Sequence, residues 1–220
     1  MTYLELINEV LKNLREDEVT SSTGTAYTKL IGFFVKQAYI ECSNAYQWPQ
    51  LNESQDVAIS ATDTSFTLTS GEAGEGVHDI HSVYNVTEEC FLRRSNYKEV
   101  QDRLSSDTDQ NQPSMFAYGG ETSDGTTTVH LYPTSDASYT LRAKYNRKPS
   151  LSNTFSASTV ITLPSECIVL KAWARAVSER GEDGGATSNE IELQAQVALS
   201  DAIALYESNN DSNNKTWAGL

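Results

Sequence analysis

Residues 162–180, TLPSECIVLKAWARAVSER, and residues 186–209, ATSNEIELQAQVALSDAIALYESN, decide how the chain is organised. Leu163-Pro164 ends a strand-like run, Ser165 is placed to cap a helix, and Ala172, Ala174 and Ala176 sit in a run of strong helix formers. In the second segment Ile191, Ala195, Ala198, Ala202 and Leu205 recur at alternating steps of four and three, which puts them on one helical stripe facing a neighbour. Between the segments, Gly181-Glu182-Asp183-Gly184-Gly185 has the backbone freedom and short polar side chains of a tight turn. The two segments are expected to form an antiparallel helical hairpin on which the rest of the chain is mounted.

At the start of the chain Tyr3, Leu6, Ile7, Val10, Leu11 and Leu14 share one face of a predicted helix, opposite Glu5, Asn8, Glu9, Lys12 and Asn13. After a polar linker over 20–25, a second helix carries Tyr27, Leu30, Ile31, Phe34, Ala38, Cys42 and Ala45 on one stripe and ends at Trp48-Pro49. Phe33, Val35 and Tyr39 add apolar surface off that stripe, and a helix apolar on more than one side is buried on more than one side. Beyond Pro49 the apolar period shortens to about two. Gln55, Val57 and Ile59, a turn at Ala61-Thr62-Asp63, and Phe66 with Leu68 read as a hairpin. Strand-like runs follow at 80–92, 115–118, 129–132, 139–145 and 159–163, with a short helix at 98–104. The predicted class is α+β: a four-helix bundle formed by the N- and C-terminal helices, 1–49 and 164–209, with a small antiparallel β domain inserted over 50–163. Residues 210–220 are expected to form an extended docking tail.

The net charge of −14, from 30 acidic against 16 basic residues, argues against a surface built to grip DNA phosphates and suits one that repels DNA. Cys42, Cys90 and Cys167 are odd in number, widely spaced and in apolar settings, so free thiols in a reducing cytoplasm are expected. No apolar run approaches the ~20 residues of a membrane span. The N-terminus opens on an amphipathic pattern without the layout of a signal peptide, so a soluble, unsecreted chain with no membrane partner is expected.

Motifs with a chemical mechanism are sparse. The sequence has no G-x-S-x-G, no phosphate loop, no G-x-G-x-x-G after a strand and no H-E-x-x-H. Gly71, Gly74 and Gly76 imitate a phosphate cradle, but Glu72 and Glu75 would repel phosphate. His78 and His81 flank Asp79 without the further ligands a metal needs. Asp107, Asp109 and Asn111 copy half a calcium loop, whose glycine and bidentate-glutamate positions hold Gln112 and Tyr118. No cofactor is implied. The carboxylate neighbours Glu53 with Asp56, and Glu88 with Glu89, carry the alternative reading of a tail-associated polysaccharide hydrolase. Arg142, Lys144, Arg147 and Lys148, interleaved with Tyr145, have the make-up of a nucleic-acid patch but read on so acidic a chain as a contact patch for a protein partner or a neighbouring subunit. Alternation along a strand places Arg142 and Lys144 on a common face.

In order and texture the whole chain resembles the head-to-tail adaptor proteins of short-tailed bacteriophages, also called tail tubular protein A. The residues that carry the resemblance are the Tyr3-Leu4-Glu5-Leu6-Ile7-Asn8-Glu9-Val10-Leu11 helix, the second helix ending in Trp48-Pro49, the β-rich middle, and the Leu163-Pro164 step into Lys171-Ala172-Trp173-Ala174-Arg175-Ala176 and a last long helix. The resemblance implies a non-enzymatic virion protein, synthesised in the host bacterial cytoplasm. It implies a ring, typically of about twelve copies, held beneath the portal protein and above the tail nozzle protein, with DNA passing through without specific binding. Carried onto this chain, Trp217, Leu220 and Lys215 would dock the portal. Tyr27, Phe33, Phe34, Trp173, Ile191, Leu199 and Tyr206 would lie at subunit interfaces, and Arg142, Lys144 and Arg147 would meet a partner.

Overall fold

The computed structural model describes residues 1–69, 76–107, 109–122, 125–149, 155–181 and 186–210. In chain order the elements are α1 (Tyr3–Asn13), α2 (Ala26–Ala45), a 3-10 turn (Pro49–Leu51), β1 (Asn52–Ile59), β2 (Ser65–Leu68), β3 (Gly76–Asn85), β4 (Cys90–Phe91), β5 (Arg93–Arg94), α3 (Tyr97–Ser106), β6 (Met115–Glu121), β7 (Thr127–Tyr132), β8 (Tyr139–Lys148), α4 (Ser165–Arg180) and α5 (Ala186–Asn210). They fall into two units, one from the described residues of 1–50 and 154–220, the other from those of 51–153.

In the first unit, α1 begins at a reciprocal cap: the Glu5 amide donates to Thr2 Oγ1 at 3.3 Å, and the Thr2 amide donates to Glu5 Oε2 at 2.8 Å. Its apolar face, with Leu6, Ile7 and Val10 fully buried, packs on α2 and α4. Gly32 lets α1 and α2 approach closely, because a Cβ there would lie 2.5 Å from the Tyr3 hydroxyl. Trp48 is fully buried after the end of α2 and donates its indole N–H to the Cys42 carbonyl at 2.7 Å. The run at 159–163 is not a strand. It makes a single bridge, Val160 to Thr2, flanked by bonds from the Tyr3 amide to the Thr159 carbonyl and from the Ile161 amide to the Met1 carbonyl. Ser165 is the first helical residue of α4 rather than its cap, since Pro164 takes the cap position without a side-chain bond. Gly181, at φ 65°, ends α4 in the left-handed conformation that favours glycine.

The expected four-helix bundle with a small inserted β domain does not form. Helix α4 is the hub: α1, α2 and α5 each pack on it, and α1 packs on α2, but α5 packs along neither α1 nor α2. The reason lies in the stripe of α5. Ile191 and Ala195 are buried, whereas Ala198 and Ala202, too small to fill a fourth side, are half-buried and Leu205 is exposed. The chain is α+β with five helices and eight strands among the described residues, and one of the helices, α3, belongs to the second unit.

Nor is that second unit small, since it spans 51–153 of a 220-residue chain and has its own core. It is built on two four-stranded sheets, in the orders β1-β8-β3-β4 and β2-β7-β6-β5. Inward residues of both, among them Ile80, Val83, Leu141, Phe66, Phe116 and Leu131, meet in one apolar cluster, the arrangement of a β-sandwich. The expected hairpin of β1 with β2 is absent. β1 pairs antiparallel with β8, from Asn52 opposite Asn146 to Ile59 opposite Tyr139, while β2 pairs with β7 in the other sheet. The turn between them is a crossover, fixed by the Thr62 amide on the Ser135 carbonyl at 2.7 Å and the Leu131 amide on the Thr64 carbonyl at 2.8 Å. Helix α3, capped by Asn96 Oδ1 on the Glu99 amide, covers β6 and β7 with Val100 buried.

Candidate subunit and partner interfaces

α5 carries more apolar surface than α4 covers. Leu193, Val197 and Leu205 are 62, 60 and 62 % exposed. A cleft of about 990 Å³ lies between α4 and α5, lined by Leu163, Leu170, Val197, Ala202 and Leu205 and by the acidic side chains of Glu166 and Asp201. Those two carboxylates are exposed and make no ion pair among the described residues. Over its whole length α5 holds Glu190, Glu192, Asp201 and Glu207 and not one lysine or arginine. Apolar side chains left open beside unpaired charge of one sign mark a surface made for a partner.

Ion pairs fix the helices behind that surface. Lys171 of α4, 7 % exposed, donates to Glu192 of α5 at 2.8 Å and lies 3.5 Å from Glu41 of α2, which also pairs with Arg175. Burial opposes the Lys171 charge, yet Glu192 and Glu41 outweigh it and hold the amine above the ordinary lysine value. Arg180 pairs with Glu16 and donates to the Tyr27 hydroxyl at 2.7 Å, its guanidinium 5.3 Å from the Tyr27 ring centre. Cys42 and Cys167 are buried free thiols with sulfurs 3.4 Å apart; the bond to Cys167, and burial, push the Cys42 thiol up.

The seven side chains expected at subunit interfaces are therefore placed differently from one another. Tyr27 is engaged by Arg180. Ile191 is 3 % exposed. Tyr206 stands edge-on to Trp48 at 5.2 Å and takes a hydrogen bond from Gln50. Trp173, Leu199 and Phe34 are half-buried, and Phe33 is 45 % exposed on the outer side of α2. Lys29, one turn before Phe33, is exposed and makes no ion pair among the described residues. Leu193 and Val197 escaped the sequence reading because they lie off the Ile191 stripe, although their spacing of four already placed them on a common face.

On the sandwich, Arg142 and Lys144 share the outward face of β8. Arg142 grips Asp56 with two bonds, 2.7 and 2.8 Å, beside Tyr84 and Phe91, whose rings are 4.8 Å apart and of which Phe91 is 69 % exposed. Arg147 has the opposite parity, lies 3.2 Å from Glu53, and does not join them. The same alternation divides the carboxylates of the hydrolase reading: Glu53 accepts from the Tyr145 hydroxyl on the inner side, while Asp56 faces out. The hydrogen bond and charge of Arg142 hold the Asp56 carboxyl below its ordinary range, the reverse of what a general acid requires. His81 Nε2 lies 3.0 Å from Asn146 Oδ1 and 3.3 Å from Asn52 Oδ1, and Asp107 accepts the Tyr132 hydroxyl at 2.6 Å. No group of three or more potential metal ligands occurs among the described residues. The side chains of His78 and Lys148, the glycines at 71 and 74, and Lys215, Trp217 and Leu220 lie outside the described residues. None of the described helices is long and apolar enough to cross a membrane.

No curated protein matches the chain. A family model described as SU10 adaptor protein matches residues 1–217, covering the helices at both ends and the sandwich between them. Adaptors of this kind are structural, oligomerise, and contact portal and tail proteins. The chain belongs to the SU10 adaptor protein family and is a structural head-to-tail adaptor of a phage virion.

Proposed function

We propose that copies of this chain close into a ring of about twelve between portal and tail nozzle, and that the ring encircles the DNA exit channel. The observation that carries the reading is the apolar surface left open on the helical unit, Leu193, Val197 and Leu205 on α5 and Phe33 on α2. One chain has no use for such side chains in water, whereas a ring buries them at every subunit boundary. The charge of −14 supports passage of DNA: a wall poor in lysine and arginine makes few phosphate contacts that would retard the duplex. In this reading residues 211–220 dock the portal, with Trp217 and Leu220 as apolar anchors and Lys215 beside them. The sandwich meets the nozzle protein through Arg142 and Lys144.

Deleting 211–220 tests the docking end. The truncated chain is expected to keep its helical circular dichroism and to lose capture by immobilised portal. Capture at full strength would remove the tail from the account.

A further inference from the structure

The helical unit leaves open two surfaces of opposite character. The first is the α4–α5 cleft, apolar at Leu170, Val197 and Leu205 and carrying the carboxylates of Glu166 and Asp201. The second is the outer face of α2, where Lys29, Phe33, Lys36 and Ile40 recur at steps of four, three and four. Phe33 is 45 % exposed and Lys29 is exposed beside it, while the Lys36 amine lies 5.3 Å from the Phe155 ring centre. The only acidic residue on α2 is Glu41, and that carboxylate is taken up by Lys171 and Arg175.

We propose that the outer face of α2 in one copy docks into the α4–α5 cleft of the next, with Phe33 entering beside Val197 and Leu205 and Lys29 meeting Asp201 and Glu166. Charge complementarity identifies the occupant. On a chain this acidic, contact between copies is most favourable where a basic edge meets an acidic one, and Lys29 of α2 supplies such an edge. Pairing α5 with α5 would set acidic helices that have no lysine or arginine against each other. The two surfaces share no residue, since Lys29 and Phe33 belong to α2 and the cleft is lined from the Leu163 turn, α4 and α5, so one copy can offer both at once. Such a contact is heterologous, the kind that generates a closed ring when its rotation closes. The inference rests on the ring reading and adds to it which faces meet and in which direction.

The test is a crosslink between copies. Phe33→Cys with Val197→Cys, in a Cys90→Ser background, is assembled on portal rings and oxidised with copper phenanthroline. A covalent ladder beyond the dimer is expected, with each single-cysteine variant giving no ladder. Adaptor rings of normal mass with no ladder would overturn the proposed faces and leave the ring standing. If no adaptor ring assembles from the wild-type chain, the ring reading itself falls, and the inference with it. An independent arm uses charge. Lys29→Glu and Asp201→Lys, each folded by circular dichroism, should each weaken assembly at least tenfold, and an equimolar mixture should restore it, because each variant then offers the partner that the other lacks. A mixture that assembles no better than its components overturns the proposal.

Discussion

Replacing Trp48 by alanine removes the side chain that holds the end of α2 against the C-terminal part of α5. The indole is fully buried, donates to the Cys42 carbonyl at 2.7 Å, and stands edge-on to both Tyr46 and Tyr206 at 5.2 Å. Truncation of a buried tryptophan to alanine costs about 3–5 kcal/mol, and complete burial with a satisfied N–H places this one near the top of that range. With a urea slope of about 2 kcal/mol per M for a unit of this size, the midpoint should fall by about 2 M. Tryptophan fluorescence is a suitable probe, since the chain's tryptophans are at 48, 173 and 217 and Trp173 remains in α4 as the reporter. Trp48→Phe keeps one aromatic ring and loses the donor and part of the ring volume, so its cost should fall below that of alanine, at about 2–3 kcal/mol. A midpoint shift below about 0.5 M for Trp48→Ala, roughly 1 kcal/mol on the same slope, would refute the reasoning.

Acid should weaken the sandwich in a defined window. The Ser95 hydroxyl, helped by Arg93 and Arg103, holds the Glu99 carboxyl below its ordinary value of 4.5, so its contribution is complete above that value and is lost as pH falls through the lower folded one. The stabilities of the wild type and Glu99→Gln should converge as pH falls below 4.5, and a gap constant with pH contradicts this sign. Thiol titration with an aromatic disulfide should find three thiols in denaturant and at most the half-buried Cys90 reacting promptly in the folded chain. Prompt reaction of Cys42 or Cys167 would contradict their burial.

The periodicity of the sequence carried the helices well. Tyr3 to Leu11, Ile31 to Cys42 and the alanine-rich pair after Leu163 all fold as helices, and the run at 98–104 lies inside α3. Partner choice was not legible, because a period states which side is apolar and not what covers it. Val57 and Ile59 alternate just as Phe66 and Leu68 do, yet the two strands belong to different sheets, and nothing local distinguishes a hairpin turn from a crossover held by Ser135. The same limit applies to α5. Its alanine stripe indicated one neighbour, and among the described helices α4 is the one it packs along, which turned an expected bundle into a hub with one helix half open. At the candidate surfaces, strand parity placed Arg142 with Lys144, whereas Glu53 and Asp56, neighbours in the sequence, fall on opposite faces of β1. Leu193 and Val197 became visible only when their exposure was seen, since on a helix apolar around much of its girth both sides look like core.

The mass of the adaptor bound to portal rings, read by native mass spectrometry, tests the central claim most directly. About twelve copies of a 24.2 kDa chain, roughly 290 kDa, should add to each portal ring as a complete set. Portal rings that remain bare beside monomeric adaptor, or that bind one or two chains without completing a set, would contradict it.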